Sequence, residues 1–349
     1  MKQRIRLIDI AEKAGVSKMC VSLALRNDPS ISQETRNVIS DIAREMGYVP
    51  NRIAKGLSKG RTYTIAAIVG GELHDDYHNQ FLKGATDYAI SKGYTLTIAL
   101  TEGDKDIEAE LIKKYYEMSI EGYLVFHSGD SSNCEFMQSQ DIPFVLYTKY
   151  FKNLNYSHVV CDDVLGGSMI TKYLTEMGHR RIAYVYDYGL KDSSEVQNRL
   201  EGYNKALDEA GIPFDESLVI PYNSSYPLET EGITGENKVL LNCLQSDGGP
   251  TAIFVCNDVV ASSVLAELKL WGYHVPEDIS IAGYEGIYMG AVLDPPLTTV
   301  SSPIREMGKE ACRILIKKIE GKIPGEEPVK ISMEPKLTIR RSVVQRRDE

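Results

Sequence analysis

Apolar and polar positions along this chain keep one period for its first fifty residues and another for the rest. In LIDIAEKAG, residues 7–15, Ile8, Ala11, Glu12 and Ala14 recur at helical spacing, and Gly15 stands where a left-handed residue ends a helix. Ser17 is a good N-cap for a second helix with Val21, Ala24 and Leu25 as its buried stripe. Ser32 opens a third, in which Val38, Ile39, Ile42, Ala43 and Met46 repeat before Gly47 stops it. Ala11, Ala14 and Ala24 are small enough for two helices to cross closely, and such a pair about a tight glycine turn makes a helix-turn-helix. From Thr64 the period changes. Short apolar runs alternate with amphipathic helices: TIAAIV (64–69), LTIAL (96–100), GYLVF (122–126) and FVLY (144–147), then RIAYVY (181–186), SLVIP (217–221), AIFVC (252–256) and SIAGY (280–284). Continuous apolar strands between helices predict parallel sheets covered on both faces, and two series of four predict two doubly wound lobes. The expected class is therefore α/β with an all-α head.

The second helix raises a chemical question. With Val21, Ala24 and Leu25 turned inward, Lys18, Met19, Cys20 and Ser22 face outward, and none of them serves a core. In a recognition helix the N-terminal residues reach base edges in the major groove, where Lys donates to guanine O6/N7 and an apolar tip meets a thymine methyl. The following stretch, YVPNRIAKGLSKGRT (48–62), could form two helical turns over 51–58, with Ile53, Ala54 and Leu57 on one face and Arg52, Lys55 and Lys59 around it. So short a helix, with Gly56 inside, needs a partner to form.

Charge separates the head from the body. The 349-residue chain carries a formal net charge of −10, an argument against a nucleic-acid partner. Residues 1–61, however, hold twelve Lys and Arg against six Asp and Glu, a net of +6 that leaves −16 for the remainder. A basic head on an acidic body is the asymmetry expected when only the head meets phosphate. The six cysteines are far apart with no CxxC pair, so no disulfide framework or zinc cage is expected, and the six histidines lack metal spacing. GxSxG, HExxH and GxxxxGK[ST] are all missing, so no enzyme activity and no cofactor are expected. No apolar run approaches the length of a membrane span, and the N-terminus turns acidic before any signal-like core, which places the protein in the cytosol.

Ligands of doubly wound sheets sit at the carboxyl ends of the strands, in the crevice between lobes. The residues there are Glu72, Asp75, Asp76, Tyr77 and His78, then Thr148, Asn257, Asp258 and Glu285, with Arg199 near a helix start and Tyr222 after LVIP. Hydrogen-bonding groups mixed with aromatics suit a polyol or a heterocycle. Asp258 also reads as a helix cap, His78 as a surface residue, and Arg199 as a surface partner of Glu195.

In order and spacing, IDIAEKAGVS, VSLALRN, ISQETRNVI, MGYVPN and the Ala54–Leu57 pair resemble the lactose/galactose repressor (LacI-type) family of bacterial transcription regulators. NRLEGY, CNDVVA, VPEDISIAGYEG and DPPLTTVSSP are similar to the effector domains of that family, which are relatives of periplasmic sugar-binding proteins. The resemblance covers residues 7 to about 341, with 186–198 and 222–238 fitting poorly. It implies a type I periplasmic-binding-protein-like body and a hinge that folds only on operator DNA, its Leu wedged into the minor groove of a palindrome. Boundaries follow: helix-turn-helix 1–48, hinge 49–62, effector-binding and dimerisation domain 63–341, tail 342–349. Its first lobe would take about 63–162 and 294–322, its second about 163–293 and 323–341. Candidate DNA contacts are Ser17, Lys18, Met19, Cys20, Ser22, Leu23, Arg26, Ser32 and Thr35, with Asn51, Arg52, Ala54, Lys55 and Leu57 in the hinge. Candidate effector contacts are Asp75, Tyr77, His78, Thr148, Arg199, Tyr222, Asn257 and Glu285. The chain departs from many relatives in three places: DDYHN (75–79) for NPFF, Thr148 for an Asp, and Glu285–Gly286 for an Asp after the last strand. Met19 and Cys20 stand where Thr is common. The resemblance implies a homodimeric repressor in the bacterial cytoplasm, at the nucleoid, bound to palindromic double-stranded operator DNA and controlled by a sugar or sugar derivative. A periplasmic-type receptor without DNA function is the alternative, and it would have no use for residues 1–60.

Overall fold

Helix α1 (Leu7–Ala14) ends on Gly15 at φ 66°, and the Val16 N–H donates back to the Ala11 carbonyl at 3.1 Å, so the predicted glycine stop is a left-handed cap. The Ser17 side chain accepts from the Cys20 N–H to open α2 (Lys18–Ala24), and Ser32 does the same for Thr35 at the start of α3 (Gln33–Glu45). The three helices close on Ile10, Ala11, Val21, Ala24, Ile39 and Ala43. Ile8 and Val38, read as buried positions, are exposed. At 100° per residue Ile8 lies across the helix from Ile10, and Ile10 with Ala11 takes the core.

The computed structural model describes residues 5–49, 61–70, 76–223, 237–323 and 327–346, so the hinge candidates Asn51, Arg52, Ala54, Lys55 and Leu57, and Asp75, lie outside the described residues. Head and body are two units, Met1–Thr62 and Tyr63–Glu349.

The body's strands are β1 (Thr64–Val69), β2 (Thr95–Leu100), β3 (Tyr123–Val125), β4 (Phe144–Tyr147), β5 (His158–Cys161), β6 (Ile182–Asp187), β7 (Val219–Tyr222), β8 (Ala252–Val255), β9 (Ser280–Glu285), β10 (Thr298–Ser301), β11 (Lys330–Met333) and β12 (Lys336–Thr338). Its helices are α4 (Asp76–Ser91), α5 (Lys105–Glu117), α6 (Ser132–Ser139), α7 (Asp163–Glu176), α8 (Ser194–Glu209), α9 (Lys238–Gln245), α10 (Asp258–Leu270), α11 (Tyr288–Val292) and α12 (Ile304–Ile319). One sheet runs β11-β5-β4-β3-β1-β2 and the other β12-β10-β9-β8-β6-β7; β12 alone is antiparallel to its neighbour. All eight predicted strands are present, and each sheet has two more. Of these four, β10, β11 and β12 are rich in Thr, Ser and Lys, and β11 alternates exposed with half-buried positions, so the long apolar run of a central strand is missing.

These extra strands redraw the lobe boundaries. Residues 298–301 pair with β9 in the second sheet and 330–333 with β5 in the first, each opposite to the sequence expectation. The chain therefore crosses between lobes after β5, after β10 and between β11 and β12. Residues 342–346 are not a tail either: Ser342 is fully buried, accepts from the Thr298 N–H at 2.8 Å and donates to the Ile281 carbonyl at 2.6 Å.

Candidate functional site

Of the four α2 side chains that sequence turned outward, Lys18 and Met19 are outward, while Cys20 packs against the edge of the head core. Lys18 is exposed and Met19 is 67% exposed, while Cys20, Ser22 and Leu23 are half-buried. Arg26 donates from Nη2 to Ser22 Oγ at 2.9 Å, which aligns the guanidinium along the helix. Ser17, Ser32 and Thr35 are engaged in the caps of α2 and α3, so they present helix N-termini, where backbone N–H groups and the dipole favour phosphate.

In the body, both sheets reverse strand order at their first strand, β1 between β2 and β3, and β6 between β7 and β8, so the crevices at their carboxyl ends open between the lobes. Arg199, 2% exposed, is held there from three sides. Its Nε donates to Asp163 Oδ1 at 2.9 Å, its Nη1 to the Cys256 carbonyl at 2.6 Å, and Glu285 Oε1 lies 3.8 Å from the same nitrogen. The guanidinium also stacks on Tyr284, 3.9 Å above the ring. Burial opposes its charge, but Asp163, Tyr284 and Glu285 more than offset that and hold its pKa above the usual value. Burial in turn pushes Asp163 up to about 6 against the pull of Arg199, so the two are an ion pair at neutral pH. The pair is possible because α7 and α8 touch backbone to backbone: a Cβ on Gly202 would fall inside the Val164 carbonyl, and one on Gly167 inside the Arg199 carbonyl. The surface pairing of Arg199 with Glu195 does not occur; both are buried, and the partner is Asp163.

From the first lobe, Tyr77 and His78 are both 3% exposed, so they form the floor of the crevice, and His78 is not a surface residue. The Tyr77 hydroxyl bonds Thr148 Oγ1 at 2.8 Å. His78 meets Phe126 edge-on at 4.8 Å, and burial with the nearby Lys149 lowers it to about 4, so its imidazole is neutral. Thr148 sits at φ 68°, and the Lys149 N–H donates to the Tyr147 carbonyl at 2.8 Å across it. That is a γ-turn of the strained, positive-φ kind at a β-branched residue.

On the second lobe, Asn257 and Asp258 exchange the roles expected of them. Asn257 Oδ1 caps α10 by accepting from the Val260 N–H at 2.8 Å. Asp258, fully buried, accepts from the N–H groups of Gly286 and Ile287 at 2.9 and 3.0 Å and from Thr299 Oγ1 at 2.7 Å. It thereby fixes the turn that carries Glu285, whose φ is 99°. Burial raises the Asp258 carboxyl to about 7. Tyr222 is not brought to this group: it is buried in the second-lobe core, near Glu267 on α10. Sequence reasoning passed over Asp163, Lys149, Glu195 and His127. Each stands beside a strand end or on the Arg199 helix face, and that adjacency was the available signal.

The lobes touch at this end. The Tyr150 N–H donates to Ser194 Oγ at 2.9 Å, and the Tyr288 N–H to Asp76 Oδ2 at 3.1 Å.

Residues 6–51 match the family profile of bacterial regulatory proteins, lacI family, and residues 171–343 that of a periplasmic binding protein-like domain. The chain is 32% identical over 341 residues to the HTH-type transcriptional regulator DegA of Bacillus subtilis, covering 96% of this chain and 97% of that one. It is 30% identical over 335 residues to the ribose operon repressor of Haemophilus influenzae, again covering 96% and 97%. Among solved structures, the complex of the transcriptional regulator CelR with cellobiose aligns over 97% of this chain and all of its own, at 28% identity and a TM-score of 0.70.

Proposed function

We propose, on the premise that this chain belongs to the LacI family of bacterial regulatory proteins, that α2 reads its operator and that the crevice around Arg199 takes its effector. The protein is a DNA-binding transcription regulator under small-molecule control. Its relatives are regulators and not enzymes. Among the described residues no helix is long and apolar enough to cross a membrane, and a DNA-binding role places the protein in the cytoplasm with the chromosome.

The observation that carries the operator reading is Met19: an apolar side chain two-thirds exposed, beside Lys18, at the N-terminus of the second helix of a helix-turn-helix. Such a residue is a cost in water and an asset against a thymine methyl. One head buries too little surface for a unique genomic site, so two copies act together on a palindrome. Tyr288 and Val292 on α11, 72% and 60% exposed, and Leu270 at the far end of α10, 77% exposed, are apolar side chains open to a second copy. The effector is a carbohydrate: a mixed cluster of buried carboxylates, Arg199, Thr148 and aromatic rings suits hydroxyl groups on a ring, and the related CelR binds cellobiose.

Selection of full-length protein on a random DNA library, followed by sequencing with and without added sugars, tests both halves. The expected product is a palindrome whose recovery changes with one sugar. Recovery of no common sequence would end the operator reading.

A further inference from the structure

Most polar side chains in the crevice are tied to protein partners, but Glu195, His127 and Lys149 each keep hydrogen-bonding capacity that the described residues do not use. Among the described residues Glu195, 4% exposed, has Oε2 buried with no hydrogen-bond partner, and His127, whose Nδ1 bonds the Gly129 carbonyl at 3.1 Å, has Nε2 in the same condition. Lys149 is buried too. Among the described residues no carboxylate lies within ion-pairing distance of it; its Nζ instead sits 4.1 Å from the centre of the Phe126 ring. A buried donor or acceptor left unmade is a penalty that native folds avoid almost everywhere.

The three converge from different elements. His127 follows β3, Lys149 follows β4, and Glu195 lies in the first turn of α8 on the opposite lobe. One of the bonds between the lobes joins the immediate neighbours of Lys149 and Glu195, the Tyr150 N–H and Ser194 Oγ. The strained turn at Thr148 sends consecutive side chains apart, Thr148 to the Tyr77 hydroxyl and Lys149 over Phe126. Arg199, the other cation, is already bonded to Asp163, with Glu285 beside it.

We propose that Lys149, Glu195 and His127 form a specificity subsite between the lobes that takes neighbouring hydroxyls of an uncharged polyol ring and rejects phosphorylated or carboxylated sugars. The inference rests on the reading of this crevice as the effector site. A hydroxyl is the group that answers both chains at once: it accepts from the Lys149 ammonium and donates to Glu195 Oε2. His127, kept neutral by burial and by Lys149, offers a ring nitrogen to a second hydroxyl. A phosphate or carboxylate would accept from Lys149 but bring no proton to Glu195, leaving like charges across a buried gap. An amino sugar would satisfy Glu195 and oppose Lys149. Discrimination of this kind is steep, because the wrong ligand leaves buried groups unpaired.

Calorimetric titration of the full-length protein with D-ribose, D-glucose, cellobiose, ribose 5-phosphate, glucose 6-phosphate and glucuronate provides the test, on wild type, Lys149→Met, Glu195→Gln and the double variant. A neutral sugar should bind wild type more tightly than any anionic one. Each single variant should weaken it about tenfold to a hundredfold, as loss of a hydrogen bond to a charged group does. Glu195→Gln should also narrow the preference for neutral over phosphorylated sugar at least tenfold. Since no hydrogen bond or ion pair among the described residues is lost, the variants should melt near the wild-type temperature, which separates lost binding from lost folding. Preference for an anionic sugar, neutral binding unchanged in both single variants, or no binding by any of the six sugars overturns the subsite. Operator titrations with Arg199→Met distinguish the two levels: a sugar response abolished there but intact in Lys149→Met and Glu195→Gln removes only the subsite. A response intact in all three variants removes the crevice reading as well.

Discussion

Arg199 Nε lies 2.9 Å from Asp163 Oδ1 with both side chains almost completely buried, a salt bridge between the first residue of α7 and the second turn of α8. The guanidinium that faces the crevice is therefore part of the fold of the second lobe. Removing one partner of such a pair leaves an uncompensated buried charge and costs about 3–5 kcal/mol. Arg199→Met should accordingly destabilise the protein by that order in urea unfolding. Adding Asp163→Leu should recover much of the loss, while the effector response stays absent. Equal stability of wild type and Arg199→Met would show that the pair does not support the fold.

Asp258 predicts a pH dependence with a definite sign. Its folded carboxyl is raised to about 7, against about 3.9 for an unfolded Asp. Between those values the folded state binds the proton more tightly, so this group's stabilisation is complete below about pH 4 and is lost as pH rises toward 7. Asp163, raised to about 6, acts in the same direction over a narrower window. Asp258→Asn keeps an oxygen for the Gly286 and Ile287 N–H groups and can donate to Thr299. It should flatten the decline by a few kcal/mol across the window. Unfolding titrations from pH 4.5 to 8 decide it, and parallel profiles for the two proteins would contradict the assignment.

DNA binding should separate into two components on α2. Lys18→Ala should relax a guanine preference in each half-site and, because it removes a positive charge from each head, lower the slope of affinity against salt. Met19→Thr should instead change which base is preferred, by roughly 1–3 kcal/mol at one position of each half-site. Because Met19 is exposed, its melting temperature should hold. Fluorescence anisotropy on a set of single-base operator variants reads both effects, and an unaltered base preference in Met19→Thr would remove that residue from the groove.

Self-association should depend on α10 and α11. Tyr288→Glu or Leu270→Glu places charge on an exposed apolar position of α11 or α10 and should shift the protein to monomers in sedimentation, with operator affinity falling in step. A variant that remains dimeric would move the interface elsewhere.

Much of the architecture could be read from local pattern alone. The helix-turn-helix follows from Gly15, Ser17 and Ser32, whose roles as stop and caps depend only on neighbours within four residues. Six of the eight strands read from sequence, β1, β3, β4, β6, β8 and β9, lie inside their sheets, where burial on both faces demands an unbroken apolar run, as in TIAAIV and AIFVC. Edge strands carry no such demand, so KISM and KLT show no strand signal in a local window, and the crossings between lobes are invisible with them.

What sequence by itself determined is therefore the division of labour: a basic three-helix head that presents Lys18 and Met19, joined to an acidic two-lobed α/β body, since charge and periodicity are properties of consecutive residues. What only the tertiary structure decided is who partners whom in the crevice. Asp163 and Arg199 are 36 residues apart, and Lys149 and Glu195 sit in different lobes. Asp258 reaches over to the turn after β9 instead of capping its own helix. An isolated carboxylate or ammonium looks like a surface residue in any local window. Its cost of burial, and hence the partner or ligand it requires, exists only once the fold has removed the water around it.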